Sequence, residues 1–196
     1  MSRPYAPILT ERLQIVLPDI DDAPRQLAYY EANREHFAPW DPTRDASFYT
    51  VERMAGWIRD NRDAAARGAG FHFILQRRGE SGGPYVGTVG LSSVVYGVFR
   101  AAHLGYSLDR SCVGFGYMHE ALSAVSAHAF GALDLHRLMA NYQPSNERSA
   151  ELLRKLGFSI EGFARDYLFL AGQWRDHVLT ALVRAETDGN EEIILR

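Results

Sequence analysis

The chain has 196 residues, 46% of them hydrophobic and 23% charged, with a formal net charge of -3. That length suits one domain able to bury a core without disulfides or a structural metal, and the composition excludes a largely disordered chain. A single cysteine, Cys112, excludes an intrachain disulfide and a multi-cysteine zinc cluster, and the charge balance argues against a broad nucleic-acid surface.

The first thirteen residues lack the apolar run of a signal peptide, and no 18-residue apolar stretch follows. A soluble, cytoplasmic protein without membrane contact is therefore expected. In chain order, Arg12 to Leu17 reads as a strand and Asp21 to Asn33 as a helix. Residues His36 to Thr50, with two prolines and Trp40, read as a structured loop. Val51, Met54, Ala55 and Ile58 fall at i, i+3, i+4 and i+7, which predicts a helix with one buried stripe. Phe71, Phe73 and Leu75 then alternate with His72, Ile74 and Gln76 as a strand, and a turn over Gly79 to Pro84 leads into a second strand, Tyr85 to Val95. Ala102 to Leu108 alternates again, with Leu104, Tyr106 and Leu108 on one side.

A glycine-bearing loop follows. Met118, Leu122, Val125, Ala129 and Leu133 then step by three or four, predicting a helix of about four turns. Leu138 to Tyr142 reads as a short strand, Ser145 as the N-cap of a helix, and Gly157 as its C′ residue. Tyr167–Leu170 and His177–Val183 form a predicted hairpin around Ala171 and Gly172. Residues 185–196 read as an acidic tail behind one domain over 1–184. The fold class is α/β (α+β), a mixed sheet flanked by helices.

Two segments carry chemistry. In the first, a strand enters a loop with Gly114 and Gly116 and a long helix starts at once. Consecutive free N–H groups at a helix start bind anions, and glycine lets phosphate oxygens approach the backbone. Glycines at such turns also serve backbone angles alone, so this pattern by itself leaves both readings open. In the second, Ser149, Leu152, Leu153 and Leu156 share one helical face, and Asn146 lies three residues before Ser149. Polar groups at the head of a buried stripe need hydrogen-bond partners, either as helix caps or as the lining of a ligand channel. His119, His128 and His136 have no metal spacing with carboxylates, and no metal is assigned.

The element order and these two segments together resemble the GCN5-related N-acetyltransferase (GNAT) superfamily from about Leu9 to Val183. In detail the chain is similar to the RimJ-type ribosomal-protein-alanine N-acetyltransferases. That likeness rests on three stretches, His36 to Pro42, His136 to Tyr142 and Gly172 to Leu182. The resemblance implies a central, mostly antiparallel sheet and acetyl-CoA as co-substrate. It also implies acetyl transfer to a protein N-terminus, that of an alanine-starting small-subunit ribosomal protein. Acetylation of a small-molecule amine and non-catalytic acetyl-CoA binding are the alternative functions.

By that resemblance Leu104, Gly105 and Tyr106 contact the pantetheine arm with their backbone, and one of their N–H groups receives the carbonyl oxyanion. Val113, Gly114, Phe115, Gly116, Tyr117 and Met118 hold the pyrophosphate. Asn146 and Ser149 lie against the CoA arm, and Ser149 is the candidate donor to the leaving thiolate. His103 stands where many relatives carry a glutamate and is the candidate base. Packing explains His103 equally well, and Asp166, Glu161 and Tyr142 are other possible bases.

The chain departs from the pattern at Ser111 and Phe115, where relatives carry Gln or Arg and often a basic residue. Charge for the phosphates is then expected from Arg110, Arg148 or Arg154. Arginine is the main cation here, since Lys155 is the only lysine beside twenty arginines. The acceptor is expected between the loop with Phe37, Trp40 and Asp41 and the hairpin with Tyr167, Trp174 and Asp176. Core packing is an alternative for Trp40 and Trp174. An α-amine near pKa 7.7–8.0 costs only about 1 kcal/mol to deprotonate at pH 7, against about 4.6 for a lysine amine near 10.4. A site without an obvious strong base thus suits an N-terminal acceptor.

Overall fold

The computed structural model describes residues 5–185; past Ala185 the expected acidic tail lies outside the described residues. Strands β1 (Ile8–Leu9), β2 (Leu13–Val16), β3 (Phe71–Arg77), β4 (Gly87–Val95), β5 (Ala101–Leu108), β6 (Arg137–Met139), β7 (Ser159–Leu170) and β8 (Gln173–Val183) form one sheet. Their order is β1-β2-β3-β4-β5-β6-β8-β7. Every neighbouring pair is antiparallel except β5 with β6. The mixed, mostly antiparallel α/β class expected from sequence is therefore the class observed.

Alternation along the strands gives the sheet two apolar faces. Phe71, Phe73 and Leu75 of β3 join Leu104 of β5 in the larger core. Helices α4 (Tyr117–Gly131) and α5 (Glu147–Lys155) cover this face through Met118, Leu122, Val125, Ala129 and Leu153. Ile74 points the other way and packs with Tyr29, Tyr30, Phe37, Met54 and Ile58. Those residues come from α1 (Ala23–Ala32), α2 (Arg34–Phe37) and α3 (Val51–Ala66). Thr50 caps α3 by accepting the Arg53 N–H, and Met54 and Ile58 form its buried stripe, while Val51 at its start is exposed.

Several boundaries differ from the sequence reading. The loop over His36 to Thr50 holds the end of α2 and a short 3-10 turn, Ala46–Phe48. β6 stops at Met139, short of Tyr142. The cap of α5 is Asn146, one residue past Ser145, because its carboxamide oxygen accepts the Ser149 N–H at 3.1 Å. Gly157 ends that helix at φ 86°, as its C′ assignment requires. The hairpin is much longer than predicted, since β7 starts at Ser159 and β8 at Gln173. Glycine, charges and bulges interrupt its alternation, whereas cross-strand pairing continues. Its turn is as predicted: Ala171 and Gly172 both have positive φ, 48° and 77°, the pair of left-handed residues that a tight type I′ turn needs.

Candidate active site

The sheet opens where β5 and β6 part. Their pairing runs only from Ala101 opposite Arg137 to His103 opposite Met139. Beyond Met139 the chain swings to β8, with the Ala140 N–H donated to Thr180 and Tyr142 bridged to Val178. Leu104 to Leu108 stay paired with β4 on one side and have no strand on the other. This leaves a wedge in the middle of the sheet rather than at its rim.

Hydrogen bonds at the two ends of β5 show which backbone groups enter the wedge. Asp109 donates its N–H to Val86 on the β4 side, while the Arg100 carbonyl accepts from His136 and Arg137 on the β6 side. Backbone groups alternate sides along a strand. Leu104 and Tyr106 therefore present N–H and C=O to the wedge, and Gly105 addresses β4. Of the three expected oxyanion donors, two remain. Gly105 is nonetheless exposed, and a Cβ added there would meet nothing within 4 Å. A glycine without neighbours in a central strand marks open space above the backbone.

The phosphate-loop candidates lie at the end of β5. Gly114 and Gly116 take left-handed angles, φ 90° and 78°, and Gly116 is the N-cap of α4 without a side-chain cap. The first N–H groups of a 15-residue helix are thus left for an anion. Ser111, which departs from the family pattern, has a local use. Its N–H and hydroxyl both go to Asp109, which also accepts from Asn33 at 2.7 Å. Burial pushes the Asp109 carboxyl up, but the bonds from Asn33 and Ser111 outweigh it and hold the group below the usual carboxylate range. Cys112 is buried beneath this turn.

Two arginines that the sequence reading missed, Arg12 and Arg77, stand near the loop in addition to those expected. Arg154 spends its guanidinium on Glu151, with two bonds of 3.0 Å. Arg12 of the segment before β2 donates Nη1 to the Phe115 carbonyl at 2.8 Å and Nε to Glu120 at 2.6 Å. It also lies 4.7 Å from the centre of the Tyr117 ring. Arg77 at the end of β3 has its pKa raised first by the nearby Tyr117 side chain, and it pairs with Glu80 at 3.7 Å. Strand pairing of β2 with β3 sets Leu13 beside Arg77, which brings both guanidiniums to the loop. Phe115 itself is 63% exposed.

Across the wedge, Ser149 at the head of α5 shares a 2.7 Å hydrogen bond with the Tyr106 phenol. Burial pushes the Tyr106 pKa up to about 12, with the Ser149 bond opposing. Asn146 uses its oxygen as the α5 cap, which is the structural reading of that residue. His103 is the last β5 residue paired with β6 and points to the opposite face from Leu104 and Tyr106. On that same face Ser107 hydrogen-bonds Tyr29 at 2.8 Å, tying β5 to α1. Among the other candidate bases, Glu161 is ion-paired to Arg137 and Asp166 sits exposed at a β7 bulge with φ 48°.

The two expected acceptor walls do meet. The Ala171 N–H of the hairpin donates to the Asp41 carbonyl at 3.1 Å, and Gln143 Nε2 donates to the Pro39 carbonyl at 3.2 Å. Burial raises the Asp41 pKa, opposed by Arg44 at 3.1 Å. Phe37 belongs to the core instead, while Trp174 is 58% exposed and leans edge-on against Phe169. Asp176 is taken up by the bulge, accepting the Asp166 N–H. Among the described residues no cluster of His, Cys, Asp and Glu is arranged to hold a metal, and no helix is long and apolar enough to cross a membrane.

An opened parallel pair, a glycine turn and an uncapped helix thus lie in series along the chain. The chain belongs to the acetyltransferase (GNAT) domain family, whose model matches residues 12–159. It is 41% identical over 179 residues to the [ribosomal protein uS5]-alanine N-acetyltransferase of Escherichia coli, covering 91% of each chain. Among solved structures, the ribosomal-protein-S5-alanine acetyltransferase of Vibrio fischeri superposes with a TM-score of 0.86 at 35% identity, covering 91% of this chain and 97% of that one. RimJ of Mycobacterium smegmatis in complex with CoA-disulfide gives 0.82 at 27% identity, covering 91% and 90%.

Proposed function

We propose that this chain transfers an acetyl group from acetyl-CoA to the α-amine of an alanine-starting protein, with ribosomal protein uS5 as its substrate in the cytoplasm. The observation that carries the reading is the open edge of β5, which leads from the uncapped start of α4 to Ser149. It is supported by the uS5-alanine activity named for a relative that matches 91% of the chain.

The residues present fit acetyl-CoA. The N–H groups of Leu104 and Tyr106 are oriented into the wedge, where a pantetheine amide can pair with the strand. The amides over Val113 to Met118 suit a pyrophosphate, and Arg12 and Arg77 supply the charge that Ser111 and Phe115 lack. Bound acetyl-CoA offers a thioester carbonyl to direct attack by an amine. A wedge-facing N–H of Leu104 or Tyr106 then stabilises the oxygen that gains charge. Ser149 Oγ donates a hydrogen bond to the departing thiolate. His103, on the other face of the sheet, takes the proton that the amine loses. Sulfur and amine thus lie on opposite faces and meet where β5 and β6 separate.

Free-thiol release with acetyl-CoA tests the reading. Turnover is expected with an alanine-starting uS5 peptide and not with the same peptide blocked at its N-terminus. Equal turnover of small amines and peptides would overturn the protein acceptor. CoA binding without turnover on any amine would overturn the enzyme.

A further inference from the structure

We propose that the Tyr106 side chain is a positioning residue, whose phenol donates to Ser149 Oγ and so turns the single serine proton toward the thioester sulfur. The inference rests on the thiolate-donor role proposed for Ser149. Tyr106 enters the resemblance only through its backbone; its side chain has a second task, visible in the 2.7 Å bond to Ser149.

Two hydroxyls at that distance share one hydrogen bond and can order it either way. Two features select the direction. A phenol is a far stronger acid than an alcohol and is the better donor, leaving Ser149 oxygen as acceptor. The Tyr106 phenol is also buried and keeps its proton, with a pKa pushed up to about 12. The serine proton is then the one left over. Asn146 fixes the first turn of α5 by accepting the Ser149 N–H, so the hydroxyl has a rigid base on its other side.

Along the chain from Tyr106 O–H to Ser149 O–H to sulfur, each donor polarises the next, which makes an alcohol a better donor than it is alone. When the C–S bond breaks and sulfur gains an electron pair, that charge is met by the serine proton. Neither hydroxyl need ionise. The cleft is also crossed by this bond, since Tyr106 stands on β5 and Ser149 on α5, 43 residues later.

A double-mutant cycle tests the proposal. Tyr106→Phe should lower kcat about 5–10-fold, what one hydrogen bond is worth, with KM for acetyl-CoA within about 2-fold of the parent. In a Ser149→Ala background the same substitution should change kcat by less than about 2-fold. Multiplying losses in the double mutant, or a loss confined to KM, would reduce the bond to a structural tie. If Ser149→Ala lowers kcat and Tyr106→Phe does not, the Tyr106 proposal alone falls. If Ser149→Ala itself leaves kcat unchanged, the reading beneath it falls too.

A fluorotyrosine at 106 keeps ring and fold and adds a pH readout. Its more acidic phenol should ionise at a pH where the parent's, pushed up to about 12, is still protonated, so the variant should lose kcat at an alkaline pH where the parent does not. A phenolate would accept from Ser149 and turn the serine proton away from sulfur. An unshifted alkaline limb would overturn the proposal even if Tyr106→Phe proved unstable.

Discussion

The two halves of the site are built by different means. The half proposed for the cofactor is mostly backbone: the free edge of β5, the glycine turn and the start of α4 lie within one continuous stretch, Leu104 to Met118, to which Ser149, Arg12 and Arg77 add side chains. The acceptor half is assembled from side chains and loops far apart in sequence, with Asp41 joined to Ala171 and Pro39 to Gln143. Backbone groups are the same whatever the side chains, so the first half should tolerate departures such as Ser111 and Phe115. The half proposed for the acceptor depends on which side chains its loops carry, and acceptor choice is expected to reside there.

The largest expected effect tests whether the acceptor-facing side of the sheet is also the acid-sensitive one. His72 packs against Trp57 at 4.9 Å with its Nε2 shielded and unpartnered, and burial lowers its pKa to about 4. Between about pH 6.5 and 4 the unfolded chain takes up a proton there and the folded one does not. Stability should therefore fall with pH across that window, by roughly 3 kcal/mol from this group. Urea unfolding at pH 7 and pH 4.5 measures it, and His72→Phe should flatten the difference. An unchanged slope in that variant would exclude His72 as the cause.

On the cofactor side, Ser149→Ala should lower kcat about 100-fold without abolishing it, since strand and oxyanion donors remain. Full activity in the variant would remove Ser149 from the chemistry. Arg12→Gln should raise KM for acetyl-CoA about 10-fold, the worth of one charge-assisted contact on a half-exposed side chain. Acetyl-pantetheine, which lacks the phosphates, should show no such change. Equal losses with both substrates would mean that Arg12 merely supports the loop.

Gly105→Ala probes the boundary between the halves. The methyl group fits without clash, so stability should hold, while the acceptor KM rises a few-fold and the acetyl-CoA KM stays within about 2-fold. A rise in the acetyl-CoA KM alone would place that open space on the cofactor side. The smallest effect belongs to Cys112→Ala, which should stay active because the thiol is buried away from the amides that matter. A folded but inactive variant would call for a covalent mechanism.

The difference in construction also explains what could be read without coordinates. Hydrophobic periodicity marked β3, β5, α3 and α4, and the glycine turn between β5 and α4 stood out because its residues are neighbours. The two-residue β1 is too short for any pattern to show. The first eight residues of β7 were missed because exposed Ile160 and Phe163 alternate with no buried partner series. Arg12 was missed because it acts on Phe115, 103 residues away, and no spacing rule connects them.

By itself the sequence determined most of the elements, the faces that β3, β5, α3 and α4 bury, and that a glycine turn opens a long helix. These are consequences of local dihedral preference and side-chain period, which each segment carries on its own. Only the tertiary structure decided that β5 and β6 separate after His103, and that Leu104 and Tyr106 rather than Gly105 face the gap. It alone set Tyr106 on Ser149 and Arg12 on the loop. Strand register and long-range packing fix such geometry, and both are properties of the whole chain folded at once.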